Sequence, residues 1–204
     1  MGKVPVAIFA SGRGSNFKSI LEEIKAGRCN AEIKVLVTNN KDAPAIDTAK
    51  ASSIPVEIFN KDDYSKRREM DLAIKEKLDS YGIELIVLAG YMLLIKGKEL
   101  LESYRIINIH PSLLPKYPGV DAQKQAYEAG EKISGVTIHF VDAGLDSGPI
   151  IYQEEVDISG CKSADEAAAK ILKVEHSAYA KVIDSFSKGK YVTEGRLVKF
   201  LKND

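Results

Sequence analysis

Cysteine, an excess of either charge and long apolar runs are all scarce in this chain, and each shortage removes a class of protein. The two cysteines, Cys29 and Cys161, stand far apart without ligand spacing, which argues against a disulfide framework or a zinc site. No metal is expected. Lys plus Arg and Asp plus Glu both number 29, so no bulk positive field exists to hold a nucleic-acid backbone. Nucleic acid is not an expected partner. No apolar run reaches the roughly 20 residues that a membrane-crossing helix needs, and Met1-Gly2-Lys3 leads into a strand pattern without a signal-peptide core. The expectation is a soluble, cytoplasmic protein with no membrane partner. With 45% hydrophobic and 28% charged residues over 204 positions, the chain has the balance of an ordinary globular protein and the length for one large core. One domain, residues 1–204, is expected, as a monomer or a homodimer.

What is present is an alternation of strand and helix patterns. Val4 to Ala10 is a continuous apolar run, followed by the loop Ser11 to Asn16 and by helix-period residues Phe17, Ile20, Leu21 and Ile24 up to Gly27. Strands are expected at Ile33 to Thr38, Val56 to Phe59, Leu85 to Ala89 and Ile106 to Ile109. Helices are expected at Ala45 to Ala51, from about Asp63 to Tyr81, and at Ala122 to Ala129. Gly135 to Val141 and Pro149 to Val156 read as neighbouring strands joined by a loop. A long helix from Ser163 to about Ser187 and a short β-like tail complete the chain. This order implies an α/β fold, a Rossmann-like doubly wound and mostly parallel sheet with some antiparallel pairing in the C-terminal half.

Ligands of such sheets bind at the carboxyl ends of the strands, which directs attention to four segments. Ser11-Gly12-Arg13-Gly14-Ser15-Asn16 places two glycines at a helix N-terminus, where free N–H groups and the helix dipole suit an anion. A capped glycine turn is the plainer reading. The loop lacks the third glycine of a dinucleotide fingerprint and the Lys of a P-loop, so a monophosphate fits better. In Asn108-Ile109-His110-Pro111, strand alternation puts Asn108 and His110 on one face, able to converge on one reacting atom. A lone histidine at a strand end is more often structural. Asp142 to Pro149 reads first as a turn; if Asp146 faces His110 instead, it orients the ring and favours imidazolium. Glu175 falls on the apolar stripe of the last helix, so it needs a lysine partner or ligand hydroxyls. His139 reads as a packed support residue and His176 as a residue of the surface or periphery.

Together, the Ser-Gly-x-Gly-Ser-Asn loop, Leu88-Ala89-Gly90-Tyr91-Met92, Asn108 to Gly119 and Leu145-Asp146-Ser147-Gly148-Pro149 resemble the phosphoribosylglycinamide formyltransferases, folate-dependent enzymes of purine synthesis, over essentially the whole chain. The resemblance implies a formyltransferase fold, with residues 1–100 as the phosphate-substrate half and 101–204 as the folate-binding and catalytic half. It implies small-molecule substrates, with 10-formyltetrahydrofolate as formyl donor and no metal. Gly14, Ser15 and Asn16 would hold the phosphate and Glu175 the ribose hydroxyls. Arg67, Met92, Leu93, Leu94, Ile95, Asn108, Val141, Asp142 and Asp146 would meet the folate. Asn108, His110 and Asp146 would be catalytic. The chain carries Leu93 where an arginine often follows the methionine, and is one residue shorter between Met92 and Asn108. Two other formyl-folate enzymes fit less well: a methionyl-tRNA formyltransferase would bring an RNA-binding domain, and a deformylase an N-terminal regulatory domain. A noncatalytic phosphate- or ligand-sensing module is the reading from outside enzymology.

Overall fold

The computed structural model describes residues 2–201. Its elements run β1 (Val4–Phe9), α1 (Ser15–Lys25), β2 (Ala31–Thr38), α2 (Ala45–Ala51), β3 (Val56–Ile58), α3 (Arg67–Asp79), β4 (Leu85–Leu88) and α4 (Lys98–Ser103). They continue with β5 (Arg105–His110), α5 (Ala122–Glu128), β6 (Ile133–Phe140), β7 (Ile150–Asp157), α6 (Ala164–Lys188), β8 (Tyr191–Glu194) and β9 (Leu197–Phe200). The sheet order is β3-β2-β1-β4-β5-β6-β7-β9-β8. Strands β3 to β5 pair in parallel, and β6 joins β5 and β7 in antiparallel fashion. The expected mixed α/β sheet is therefore present, with its antiparallel part in the C-terminal half.

Strand alternation explains why both faces are covered. Val6 and Ile8 point into a core with Phe17 and Ile20 of α1, Ala45 and Ala49 of α2, and Ile171 and Ile183 of α6. Ala7 and Phe9, one residue out of phase, point into a second core with Met70, Ile74 and Leu78 of α3 and Leu100 of α4. Continuous apolar strands are what a doubly covered parallel sheet requires. The strand order reverses at β1, which has β2 on one side and β4 on the other. A crevice therefore opens beyond their carboxyl ends.

Two local expectations need correction. The helix expected from Asp63 begins at Arg67, because the Asn60 side chain accepts Asp62 N–H and closes a 3₁₀ turn at Lys61–Asp63, after which Tyr64 and Lys66 are extended. Helix α4 has no counterpart in the sequence reading. Its start is set from a distance by Asp71 of α3, whose Oδ2 accepts Lys96 N–H and Gly97 N–H at 2.7 and 2.8 Å. Gly97 is required there, since a Cβ would lie 2.6 Å from that of Asp71.

The tail is a hairpin. Strand β9 joins the sheet through a parallel pairing of Leu197 with Ile150, and β8 pairs antiparallel with β9. Tyr191 packs against Phe140 of β6 and Phe186 of α6, and Phe200 against Phe186 and Tyr191, with ring centroids in this cluster 5.2 to 6.0 Å apart.

Candidate active site

A cavity of about 420 Å³ lies at the carboxyl ends of β4 and β5, walled on one side by residues 90–95 and on the other by residues 139–146. Asn108 and His110 both line it, as the two-residue strand repeat implies. Asn108 pairs with Leu88 of β4 on one side and with His139 of β6 on the other. Tyr179 of α6, fully buried, places its hydroxyl 2.9 Å from Leu88 O and 3.0 Å from Ile107 O. One donor shared by two carbonyls thus ties the ends of β4 and β5 together.

Asp146 reaches this floor from the loop after β6. Its Oδ2 accepts Gly119 N–H at 2.8 Å and lies 3.4 Å from His110 Nδ1, while Oδ1 lies 3.5 Å from His139 Nε2. The carboxylate therefore sits between two imidazoles. Each ring has its far nitrogen bound to a backbone carbonyl: His110 Nε2 lies 2.7 Å from Tyr117 O, and His139 Nδ1 lies 2.8 Å from Phe140 O. Those nitrogens must donate, which leaves the inner edges free to change protonation. When neutral, His139 Nε2 accepts from Asn108 Nδ2 at 3.3 Å; when protonated, it donates to Asp146. The turn reading holds for Asp142, whose Oδ1 accepts Gly144 N–H and the Ser147 hydroxyl, and not for Asp146.

Burial lowers the His110 pKa below its ordinary value, and this outweighs the opposing pull of the Tyr117 carbonyl and the Asp146 charge. Asp146 does favour the imidazolium, but desolvation of a ring only 4% exposed is the larger effect, so the pKa falls overall. Burial pushes Asp146 up, but His139, the Gly119 N–H and His110 together hold its carboxyl below the usual range. The inner edge of His110 is the place where a proton can be gained when negative charge appears beside it.

The Ser11–Asn16 loop lies in the same crevice. Gly14 adopts φ 68°, a left-handed conformation natural to glycine, and a Cβ there would come within 2.8 Å of Ala45 Cβ. Ser15 begins α1, whose first turn carries no acid to oppose an anion. Asn16 is buried and donates through Nδ2 to Glu175 Oε2 at 2.7 Å. Glu175 thus has a partner, an amide and not a lysine. Burial still raises its pKa, against the Asn16 hydrogen bond. Ser11 connects the regions: its hydroxyl donates to Asn39 and accepts Met92 N–H at 2.8 Å.

Of the expected folate-side residues, Met92, Leu93, Leu94, Ile95, Asn108, Val141, Asp142 and Asp146 line the cavity. Met92 and Leu94 are exposed at 75% and 53%, forming an apolar rim. Arg67 does not line it. Its Nε donates to Leu94 O at 2.9 Å, and its guanidinium pairs with the buried Asp71 at 2.8 Å and lies over the Tyr91 ring. It braces the wall from behind. Sequence reasoning did not assign His139, Ser11 or the Tyr117 carbonyl to the site. The 1–100 and 101–204 halves both contribute to each region, since Glu175 meets Asn16 and Met92 borders the Asn108 cavity.

Comparison with known proteins agrees with this geometry. The formyl transferase family model matches residues 4–183. A phosphoribosylglycinamide formyltransferase of Bacillus subtilis is 44% identical over 179 residues, covering 87% of this chain and 91% of the relative. One from Haemophilus influenzae is 38% identical over 193 residues, covering 94% and 88%. The crystal structure of glycinamide ribonucleotide transformylase 1 from Symbiobacterium toebii superposes with a TM-score of 0.93 at 38% identity, covering 98% of this chain and 95% of that one. With a matching family model across most of its length and a fold that superposes over nearly the whole chain, this chain belongs to the formyl transferase family.

Proposed function

We propose that the chain is a phosphoribosylglycinamide formyltransferase, which moves the formyl group of 10-formyltetrahydrofolate to the amine of 5-phosphoribosylglycinamide in purine synthesis. The observation that carries this reading is the meeting of Asn108, His110 and Asp146 on one cavity floor, linked through Ser11 to an anion loop backed by Glu175. The apolar rim at Met92 and Leu94 suits the ring system of the folate, and the exposed N-terminus of α1 suits the phosphate. Glu175 faces the ribose hydroxyls as an acceptor, held in place by Asn16.

The amine nitrogen attacks the formyl carbon, and the carbonyl oxygen takes up the electron pair. Asn108 Nδ2–H donates to that oxygen. His110, neutral beforehand, takes on Nδ1 the proton that the attacking amine loses and holds it between the oxygen and Asp146. The electron pair on the oxygen then re-forms the carbonyl as the bond to N10 of the folate breaks, and His110 passes its proton to N10 and returns to the neutral form. Transfer is direct, with no covalent enzyme intermediate. Preorganised donors of this kind contribute about 3 to 4 kcal/mol each.

The test is to incubate the protein with both substrates and follow release of deformylated folate and of the formylated ribonucleotide. Formation of both in equal amounts is expected. Folate deformylation without the amine substrate would point to a deformylase, and binding of both without turnover to a sensing module.

A further inference from the structure

The C-terminal hairpin lies beyond the residues matched by the family model, yet it touches the catalytic loop. Asp146 carries φ 51°, a left-handed conformation uncommon outside glycine, in a loop whose neighbours Gly144, Leu145 and Ser147 are exposed. From inside, Gly119 N–H holds its carboxylate. From outside, Arg196 Nη2 donates to the Asp146 carbonyl at 2.8 Å, while the Arg196 carbonyl accepts Ile150 N–H at 2.6 Å. One hairpin residue thus grips both the inward-facing residue of the loop and its exit into β7. The Arg196 Nε is itself buried, so the guanidinium is not a free surface charge. The hairpin is seated by Tyr191 against Phe140, the residue whose carbonyl accepts from His139, and by Phe200 against Phe186 of α6.

We propose that Arg196 is a positioning residue: it holds the Asp146 backbone in its left-handed turn, so that the carboxylate stays between His110 and His139. This rests on the formyl-transfer reading of the same site. The C-terminal hairpin is then a working part of the active site, acting through a backbone carbonyl and not through contact with either substrate.

Arg196→Met keeps the stem and removes the donor. At saturating substrates its kcat is expected to fall about 10- to 100-fold, the range that displacement of a catalytic group by about 1 Å produces, with KM for the phosphorylated substrate unchanged. Arg196→Lys restores one charged donor and should fall between the two. Lys199→Ala disturbs the exposed Lys199–Glu194 pair of the same hairpin and should keep wild-type kcat. The titration midpoint of His110, followed by NMR, should move in Arg196→Met and stay put in Lys199→Ala. Wild-type kcat in Arg196→Met, or a His110 midpoint that does not move, would overturn the assignment. Should Arg196→Met not fold, Arg196→Lys decides alone: a lowered kcat with unchanged KM supports the role, and a wild-type kcat removes it. A wild-type protein that shows no formyl transfer, but whose His110 midpoint depends on Arg196, would refute the reaction and leave the positioning intact.

Discussion

Asp146→Asn is the most informative single change. Asparagine tolerates the left-handed backbone that Asp146 adopts, and its carbonyl can still accept Gly119 N–H, so the loop should keep its shape while the charge disappears. The pair that is lost is close and dry, with His110 Nδ1 3.4 Å from Asp146 Oδ2 and side chains 5% and 10% exposed. At an effective dielectric constant of about 20, unit charges at that distance attract by roughly 5 kcal/mol. Desolvation of the ring takes back part of this, consistent with a His110 pKa below its ordinary value. A net loss of about 3 to 4 kcal/mol in the transition state corresponds to a kcat lower by some 10²- to 10³-fold. The phosphate loop is untouched, so KM for the phosphorylated substrate should not change. The assay is steady-state release of deformylated folate, with the melting temperature as a folding control. A fall in kcat of less than about tenfold in a folded variant would show that His110 does not need the carboxylate.

Two further outcomes follow from buried charges. Glu175 has a pKa raised above 4.5 by burial, so the native state binds more protons than the unfolded state between 4.5 and the raised value. Its contribution to stability is complete below pH 4.5 and is lost as pH rises through the folded value. Glu175→Gln escapes that loss, and its amide can donate to Asn16 Oδ1, which is buried and has no partner among the described residues. Its melting temperature should exceed that of wild type at pH 7 and converge on it at pH 4, while KM for the phosphorylated substrate rises; an equal gap at both pH values would contradict the ionisation argument. Asp71→Ala removes the buried partner of Arg67 and the acceptor for Lys96 and Gly97 N–H. Urea unfolding should show a loss of about 3 to 5 kcal/mol, with a raised KM for the folate from the loosened 90–97 wall. A near-wild-type stability would mean that α4 and the wall do not depend on this pair.

Much of the fold was legible because its determinants are local. The apolar runs at Val4 to Ala10 and Leu85 to Ala89 announce strands buried on both faces, and the glycines and prolines between periodic segments mark the ends of helices. The start of α3 is displaced because the hydrogen bond that Asp62 N–H donates to the Asn60 side chain competes with the helix over residues 61–63. Helix α4 was missed because its six residues carry no apolar period, and its N-terminus is satisfied by a carboxylate from α3.

The same division holds at the site. A repeat of two along a strand was enough to place Asn108 and His110 together, and the glycines of the first loop were enough to suggest an anion site, since both follow from backbone geometry within a few residues. Other features are contacts across the fold. His139 stands opposite Asn108 through antiparallel register, Glu175 reaches Asn16 across 159 positions, Arg67 is consumed by Leu94 and Asp71, and Arg196 returns from the tail to Asp146. Strand order, register and the path of loops decide such meetings. So does the protonation of His110, because burial, which only the packed structure sets, outweighs the neighbouring charge that the sequence could suggest.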